Sequence, residues 1–514
     1  MNTTDLQKGN PRIRKPVFVV LAIFLLGMAT FYFRPHANTP TRDYWPTQGW
    51  QTASPESMGF DSEKLATAIN TMKADGTAIH SLTIIRHGKI LLDVYFYPYD
   101  GTTLHDVASV TKSVTTTLIG IAADQGLLDL DAPMVSFFTD RDIANLDDWK
   151  RAITVRDLAN MSSGLDCYRT ADNEPTLQEM KASEDWVQFT LDLEMIHEPG
   201  TVWDYCSPGM HLLSAILAKA SGMSTLEFAQ PNLFAPLGIT EVNWPADAAG
   251  INDGWGDLAL YPRDMAKIGY LWLNNGIWDG QQIVSRQWVE NAIKPLMIAD
   301  NGDAYGYGWW INPEEIFSYR AAGRSGQEIQ VVPAFDVVIV KTGGGLDPAL
   351  VDQFIQGSVG DVERNAPVLP ENTEGFTQLQ KAIASVAEAP KPETSAPLPE
   401  IANEISGKKF AGKQNTLLEY LVFTFQEPDV MQFEIKIASE AQSRVDMVGL
   451  DGLYRDSVRG RIVKARGEWV DDQTFVIEYN EGPGLDLFML QMHFEDKGVQ
   501  LEFAGQVWIG VMEE

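Results

Sequence analysis

Residues 109–125 read SVTKSVTTTLIGIAADQ. Wound as a helix, this stretch carries apolar or small residues around most of its circumference. Gly126 follows it, so it is expected to be a buried helix that stops there. Its first turn carries the chemistry. Ser109 and Lys112 stand three residues apart, which puts hydroxyl and amine on one helix face within reach of each other. An amine in a poorly solvated pocket has a lowered pKa and can take the serine proton. The helix N-terminus adds backbone N–H groups that stabilise negative charge on a substrate oxygen. The plainer alternative makes Ser109 an N-cap and leaves Lys112 on a solvated turn. Ser-x-x-Lys also recurs at Ser406–Lys409, in a polar stretch, so position rather than pattern must discriminate.

Strand patterns lie on either side of this helix. Ser81–Arg86 (SLTIIR), a His87-Gly88 turn and Lys89–Tyr97 (KILLDVYFY) form one hairpin. Glu328–Val332, a corner at Pro333–Asp336 and Val337–Lys341 (VVIVK) form another. Between them, His211–Ala220 and Pro262–Trp272 read as further helices. Strands at both ends with helices between predict an α+β fold: one antiparallel sheet from distant segments, flanked by helices as an α/β sandwich.

Two more segments bear on the site. Gly200–Leu213 reads GTVWDYCSPGMHLL and puts Tyr205 and Ser207 in a turn before a helix. A phenol sharing a proton network with a lysine can act as general base if the ammonium lowers its pKa. The run Gly323-Arg324-Ser325-Gly326-Gln327 opens the second hairpin. There Gly326 would let a ligand approach the strand edge, and the Gln327 N–H would serve as second oxyanion donor. Taken singly, these are equally a core tyrosine beside a turn and a polar strand end.

Ser109-Val-Thr-Lys112, Tyr205-Cys-Ser207 and Arg324-Ser-Gly326 occur in the order, and with the separations, of the three motifs of the serine β-lactamase and penicillin-binding-protein superfamily. Over about Ser54 to Val359 the chain resembles its class C, esterase and nylon-oligomer-hydrolase branch. GLLDLDAPMVSFF after the first helix, ITVRDLANMSSGL at Ile153–Leu165 and LFAPLGI at Leu233–Ile239 match as well. The resemblance implies a β-lactamase/transpeptidase-like fold and an acyl-enzyme on Ser109, with Lys112 and Tyr205 moving its proton. Ser207 stands where Asn is usual. Arg324 replaces Lys, keeping the charge on a wider planar fork suited to a carboxylate, and Ser325 lies between it and Gly326. The literal Lys341-Thr342-Gly343 follows the second hairpin strand and reads as a decoy, at most a support for Gly326. No Ser-Asp-Asn context accompanies a class A deacylation carboxylate, and no G-x-S-x-G points to an α/β-hydrolase. In nylon-oligomer-hydrolase relatives a mobile loop carries a tyrosine that closes over substrate, and Tyr168 stands in a comparable place. Cys167 and Cys206 fall beside the expected pocket. In an exported protein they could pair, tying that loop to the tyrosine turn.

The 514 residues are 45% hydrophobic and 21% charged, which excludes wholesale disorder or a fibrous repeat. Lys plus Arg number 39 against 70 Asp plus Glu, a net charge of −31 that would repel nucleic acid. With two cysteines and no H-E-x-x-H among seven histidines, no metal and no cofactor is expected. Pro16–Phe33 is uncharged and apolar behind Lys8, Arg12, Arg14 and Lys15. That pattern reads as a signal-anchor with the N-terminus in the cytoplasm. A cleaved signal peptide ending near Gly27 and Ala29 is the rival reading.

The expected organisation is 1–15 cytoplasmic, 16–33 transmembrane, 34–53 tether, 54–388 hydrolase domain, 389–400 Pro-rich linker and 401–514 a small antiparallel β-barrel or sandwich. The function expected is a membrane-anchored, extracytoplasmic serine hydrolase acting on a small amide, ester or peptide. Its other partner is the bilayer, and no oligomeric state is assigned. The alternative is a non-catalytic or slow-acylating envelope sensor or scaffold.

Overall fold

Every residue of β1 (Ile79–Arg86) is buried, as a strand is when both faces of its sheet are covered. In the computed structural model β1 pairs with β2 (Lys89–Tyr95) in the first expected hairpin. The structure describes residues 42–169, 173–314, 316–345, 368–394, 397–412, 418–438, 442–458, 462–481, 488–503 and 506–513. The other strands of this sheet come from the far end of the domain: β3 (Met297–Ile298), β4 (Ala304–Tyr305), β5 (Trp310–Asn312), β6 (Ser318–Gly323), β7 (Gln327–Val332) and β8 (Val337–Gly343). The sheet runs β2-β1-β8-β7-β6-β5-β4-β3 and its pairs are antiparallel.

Alternation along β8 shows how the two faces divide. Val338 and Val340 join the larger core, and Val337 and Ile339 join the smaller. The smaller core lies under α1 (Ser62–Ala74) and α6 (Thr373–Ala387), which contribute Leu65, Ile69, Met72, Leu379 and Val386. The larger core holds α2 (Val110–Asp124), α4 (Ser207–Ser221) and α5 (Pro262–Leu273). Close seating of α5 on the sheet depends on Gly269, where a Cβ would come within 2.6 Å of Val338 Cγ1. The expected α+β sandwich is present, with β3–β6 added to the four strands that the pattern identified.

The stretch read as a tether is in part structural. Trp45 packs on Tyr270 and Trp278 with ring centroids 5.7 and 5.4 Å away. The backbone around residues 51–53 bonds Ile90 at the open side of β2. The apolar run 16–33 lies outside the described residues. Among those described, no helix is long and apolar enough to cross a membrane.

After α6, described residues 389–394 and 397–399 take no regular structure, as four prolines in twelve residues dictate. Ten antiparallel strands then form the C-terminal sheet: β9 (Lys409–Gly412), β10 (Leu418–Glu427), β11 (Val430–Ile437), β12 (Arg444–Gly449), β13 (Arg455–Val458), β14 (Ile462–Trp469), β15 (Thr474–Glu481), β16 (Phe488–Glu495), β17 (Gly498–Phe503) and β18 (Gln506–Met512). Gly449 of β12 bridges Arg466 of β14 and closes the sheet into a barrel. Its interior is packed with Phe410, Phe423, Phe433, Phe475 and Phe494 among others.

Candidate active site

Ser109 sits at the N-cap position of α2, yet its side chain makes no capping hydrogen bond. The hydroxyl is turned to Lys112, whose Nζ donates to Ser109 Oγ at 2.8 Å. The same ammonium donates to Trp255 O at 2.8 Å, and it lies 4.6 Å from the centre of the Tyr205 ring. Ser109, Lys112 and Tyr205 are therefore together. The plainer reading fails on burial: Lys112 is 1% exposed. Burial lowers its pKa from the usual 10.5 to about 8, with Glu174 and Asp257 working against the fall.

Tyr205 behaves differently from expectation. Its phenol contacts the Ser109 hydroxyl, but burial and then the Glu174 carboxylate push its pKa up, outweighing that hydrogen bond and the Arg169 guanidinium. The phenol therefore stays protonated. Trp203, Tyr305 and Trp310 continue from Tyr205 as an aromatic wall with centroids 4.9–6.1 Å apart.

The third segment is shifted by three residues from the sequence reading. Gly323, at the end of β6, is the glycine against the nucleophile. A Cβ there would fall 2.9 Å from Ser109 N, 2.7 Å from Val107 O and 2.8 Å from Ala108 Cβ. The amide that follows it along this edge belongs to Arg324, whose side chain is exposed. Gly326 is buried in the turn between β6 and β7, where its φ of 92° and that of Ser325 at 61° serve the reversal. Gln327 is fully buried at the start of β7, paired with Gly323 in the ladder. Its Nε2 donates to Gly343 O at 2.6 Å, and its Oε1 accepts from Gly343 N at 3.1 Å. It is a brace inside the sheet rather than a group facing Ser109.

Ser207 also departs from expectation. It occupies the first position of α4, fully buried, and its hydroxyl finds no hydrogen-bond partner among the described residues. Tyr168, at 62% exposure, stands free of the core. Cys167 and Cys206 form a disulfide with Cα atoms 5.2 Å apart, which joins the Tyr168 segment to the residue after Tyr205. Beyond Cys167, the Arg169 guanidinium lies over Trp203 at 5.3 Å and over Tyr205 at 6.0 Å. The literal Lys341-Thr342-Gly343 is structural: Lys341 Nζ pairs with Glu328 at 2.7 Å, and Thr342 Oγ1 lies 2.6 Å from Ser81 Oγ.

Sequence reasoning missed Gly323, Arg169, Glu174, Trp255 and Asp257. Only Gly323 had a signal, as the other glycine of the Gly-Arg-Ser-Gly run; the rest arrive from separate loops.

The sequence profile of the family described as Beta-lactamase matches residues 65–345. The chain belongs to the beta-lactamase family. The 6-aminohexanoate-dimer hydrolase of Paenarthrobacter ureafaciens is 23% identical over 318 residues, covering 58% of this chain and 81% of that protein. The beta-lactamase of Escherichia coli strain K12 is 26% identical over 250 residues, 43% of this chain and 62% of its own length. A solved Bacillus anthracis structure, assigned by name to the 6-aminohexanoate-dimer hydrolases, superposes with a TM-score of 0.51 at 20% identity. It covers 59% of this chain and 83% of its own, a likeness of fold. Within the serine hydrolases of this superfamily, these similarities support the nylon-oligomer-hydrolase and esterase-like branch.

Proposed function

We propose that this beta-lactamase-family protein hydrolyses an amide or ester bond of a small molecule through an acyl-enzyme on Ser109. The observation that carries the reading is the 2.8 Å contact between Ser109 Oγ and an amine whose pKa burial has lowered to about 8. The neutral Lys112 amine accepts the hydroxyl proton as Oγ attacks the carbonyl carbon. The developing oxyanion lies between the Ser109 and Arg324 N–H groups, on either side of the Gly323 contact. Tyr205, kept protonated, donates to the leaving nitrogen or oxygen and is reprotonated through Lys112. Water then attacks the ester with the same groups working in reverse, releasing the acid and free Ser109.

Amide or ester substrates are favoured over β-lactams by the residues at the strand end and the tyrosine turn. The strand bears Ala321-Ala322-Gly323, with no side-chain cation or hydroxyl, and Ser207 offers no amide. The P. ureafaciens relative, named as a 6-aminohexanoate-dimer hydrolase, supports the same choice. Arg324 would steer a carboxylate on the substrate, and Tyr168 would close over it. Residues 16–33 would anchor the protein with its hydrolase domain outside the membrane, and the disulfide supports an oxidising compartment.

The test is a panel of nitrophenyl esters, nitrocefin, D-amino-acid amides and aminohexanoate dimers, run on the wild type and Ser109→Ala. Turnover of an ester or linear amide, abolished in Ser109→Ala and rising with pH through about 8, is expected. Turnover that survives Ser109→Ala would refute the assignment.

A further inference from the structure

Loop 253–257, which holds Lys112 from below, carries two carboxyl groups that acyl transfer leaves without a role. The loop is gripped from two helices. Thr115 Oγ1 of α2 donates to Gly254 O at 2.8 Å, and Leu258 N donates to Thr111 Oγ1 at 3.4 Å. On the side of α4, a Cβ at Gly254 would lie 2.3 Å from Met210 O. This grip aims Trp255 O at Lys112 Nζ. Two residues on, Asp257 takes a φ of 61°, a left-handed conformation that Asp tolerates better than most residues. Its carboxylate lies 3.9 Å from Lys181 Nζ of α3 (Pro175–Ala182), and that ammonium lies 4.9 Å from the Trp255 ring. Asp253 is 3% exposed, and its carboxyl hydrogen-bonds Asp257.

We propose that the Asp253–Asp257 pair and Lys181 form a positioning element that sets the charge state of the Lys112 amine. Asp257 favours the ammonium, Lys181 tempers that effect, and Asp253 holds the proton that the two carboxyls share. The proposal rests on Lys112 being the base for Ser109. Burial first, then the Asp257 charge, push Asp253 up to about 8, so one carboxyl of the pair stays protonated at neutral pH. The groups facing Lys112 are Ser109 on its own helix, Tyr205 before α4, Glu174 before α3, and Asp257. Those facing the carboxyl pair are Lys181 and, toward Asp253, Asp247.

The signs separate this role from a merely structural one. Removing the Asp257 charge destabilises the ammonium, so the free amine appears at lower pH. Removing the Lys181 charge strengthens Asp257, so the free amine appears at higher pH. The experiment is the rate of Ser109 phosphonylation by a fluorophosphonate probe as a function of pH, with circular dichroism as the folding check. Asp257→Asn is expected to move the acid limb down by roughly one pH unit. Lys181→Met is expected to move it up, and Asp257→Glu to restore the wild-type position. Lys181 has 39% of its side chain exposed, so its variant keeps the test decisive should Asp257→Asn not fold. Limbs that stay in place, or move in the same direction in both variants, overturn the proposal while leaving the site intact. Absence of phosphonylation at wild-type Ser109 would instead overturn the reading of the site itself.

Discussion

Gly323→Ala is the substitution that bears most directly on the oxyanion site. The backbone at 323 is extended, with φ −127° and ψ 158°, so alanine introduces no conformational strain and only its methyl group matters. That methyl would lie 2.7–2.9 Å from Val107 O, Ala108 Cβ and Ser109 N. These contacts are about 0.6–0.8 Å inside the ~3.5 Å optimum for non-bonded atoms. Main-chain atoms cannot rotate away, so β6 and the start of α2 must separate by a similar distance. An oxyanion donor is effective only at about 2.7–3.1 Å, and losing one costs about 10²–10³-fold in kcat. We expect kcat to fall by that factor, KM to change little, and stability to drop by about 1–3 kcal/mol from overpacking. The assay is steady-state hydrolysis of the best ester in the panel, with thermal unfolding alongside. If Gly323→Ala retained kcat within a few-fold, the slot between Ser109 and the end of β6 would not be where the oxyanion forms.

Three further outcomes follow from the geometry. Replacing both Cys167 and Cys206 by serine opens a link across 39 residues and should cost about 4 kcal/mol in chemical denaturation; an unchanged midpoint would refute a stabilising role. Lys341→Met removes the close partner of the buried Glu328 carboxylate, leaving the Arg320 guanidinium 3.8 Å away, and should cost up to about 3–5 kcal/mol, while Ser109 phosphonylation in the folded fraction stays at the wild-type rate. Loss of that labelling with the fold intact would return the Lys-Thr-Gly run to the site. His105, hydrogen-bonded to His80 at 2.8 Å, has its pKa lowered by burial from 6.5 to about 4. The unfolded chain binds the extra proton below 6.5, so stability should fall between pH 6.5 and 4, by about 3 kcal/mol for His105 alone. His105→Gln should flatten that slope in acid-denaturation curves, and an unaltered slope would rule the residue out.

What the sequence determined alone are the features written in short-range periodicity. Ser109 and Lys112 lie one turn apart on a largely apolar stretch, which made a buried helix legible; that the amine itself is dry, with a lowered pKa, came from the packing around it. The hairpins at 81–97 and 328–341 and the helices near 211 and 262 were equally legible, because their patterns depend on neighbours two residues away in a strand and three or four in a helix. Strands of two or three residues, such as 297–298 and 304–305, carry no such pattern. Among the barrel strands, those at 409–412, 444–449, 455–458, 462–469 and 506–512 were not resolved from their flanks.

Tertiary structure alone decided everything that depends on which surface meets which. It selected Gly323 over Gly326, since the two lie three residues apart and only the seating of β6 on α2 shows which touches Ser109. It reversed the expected shift of Tyr205, because burial and Glu174 outweigh the proximity of a cation, and no spacing rule encodes burial. It brought Trp255 and Asp257 to Lys112 from well over a hundred residues away. A local pattern fixes what a segment can bury; desolvation and electrostatic fields depend on the whole set of segments packed around a group.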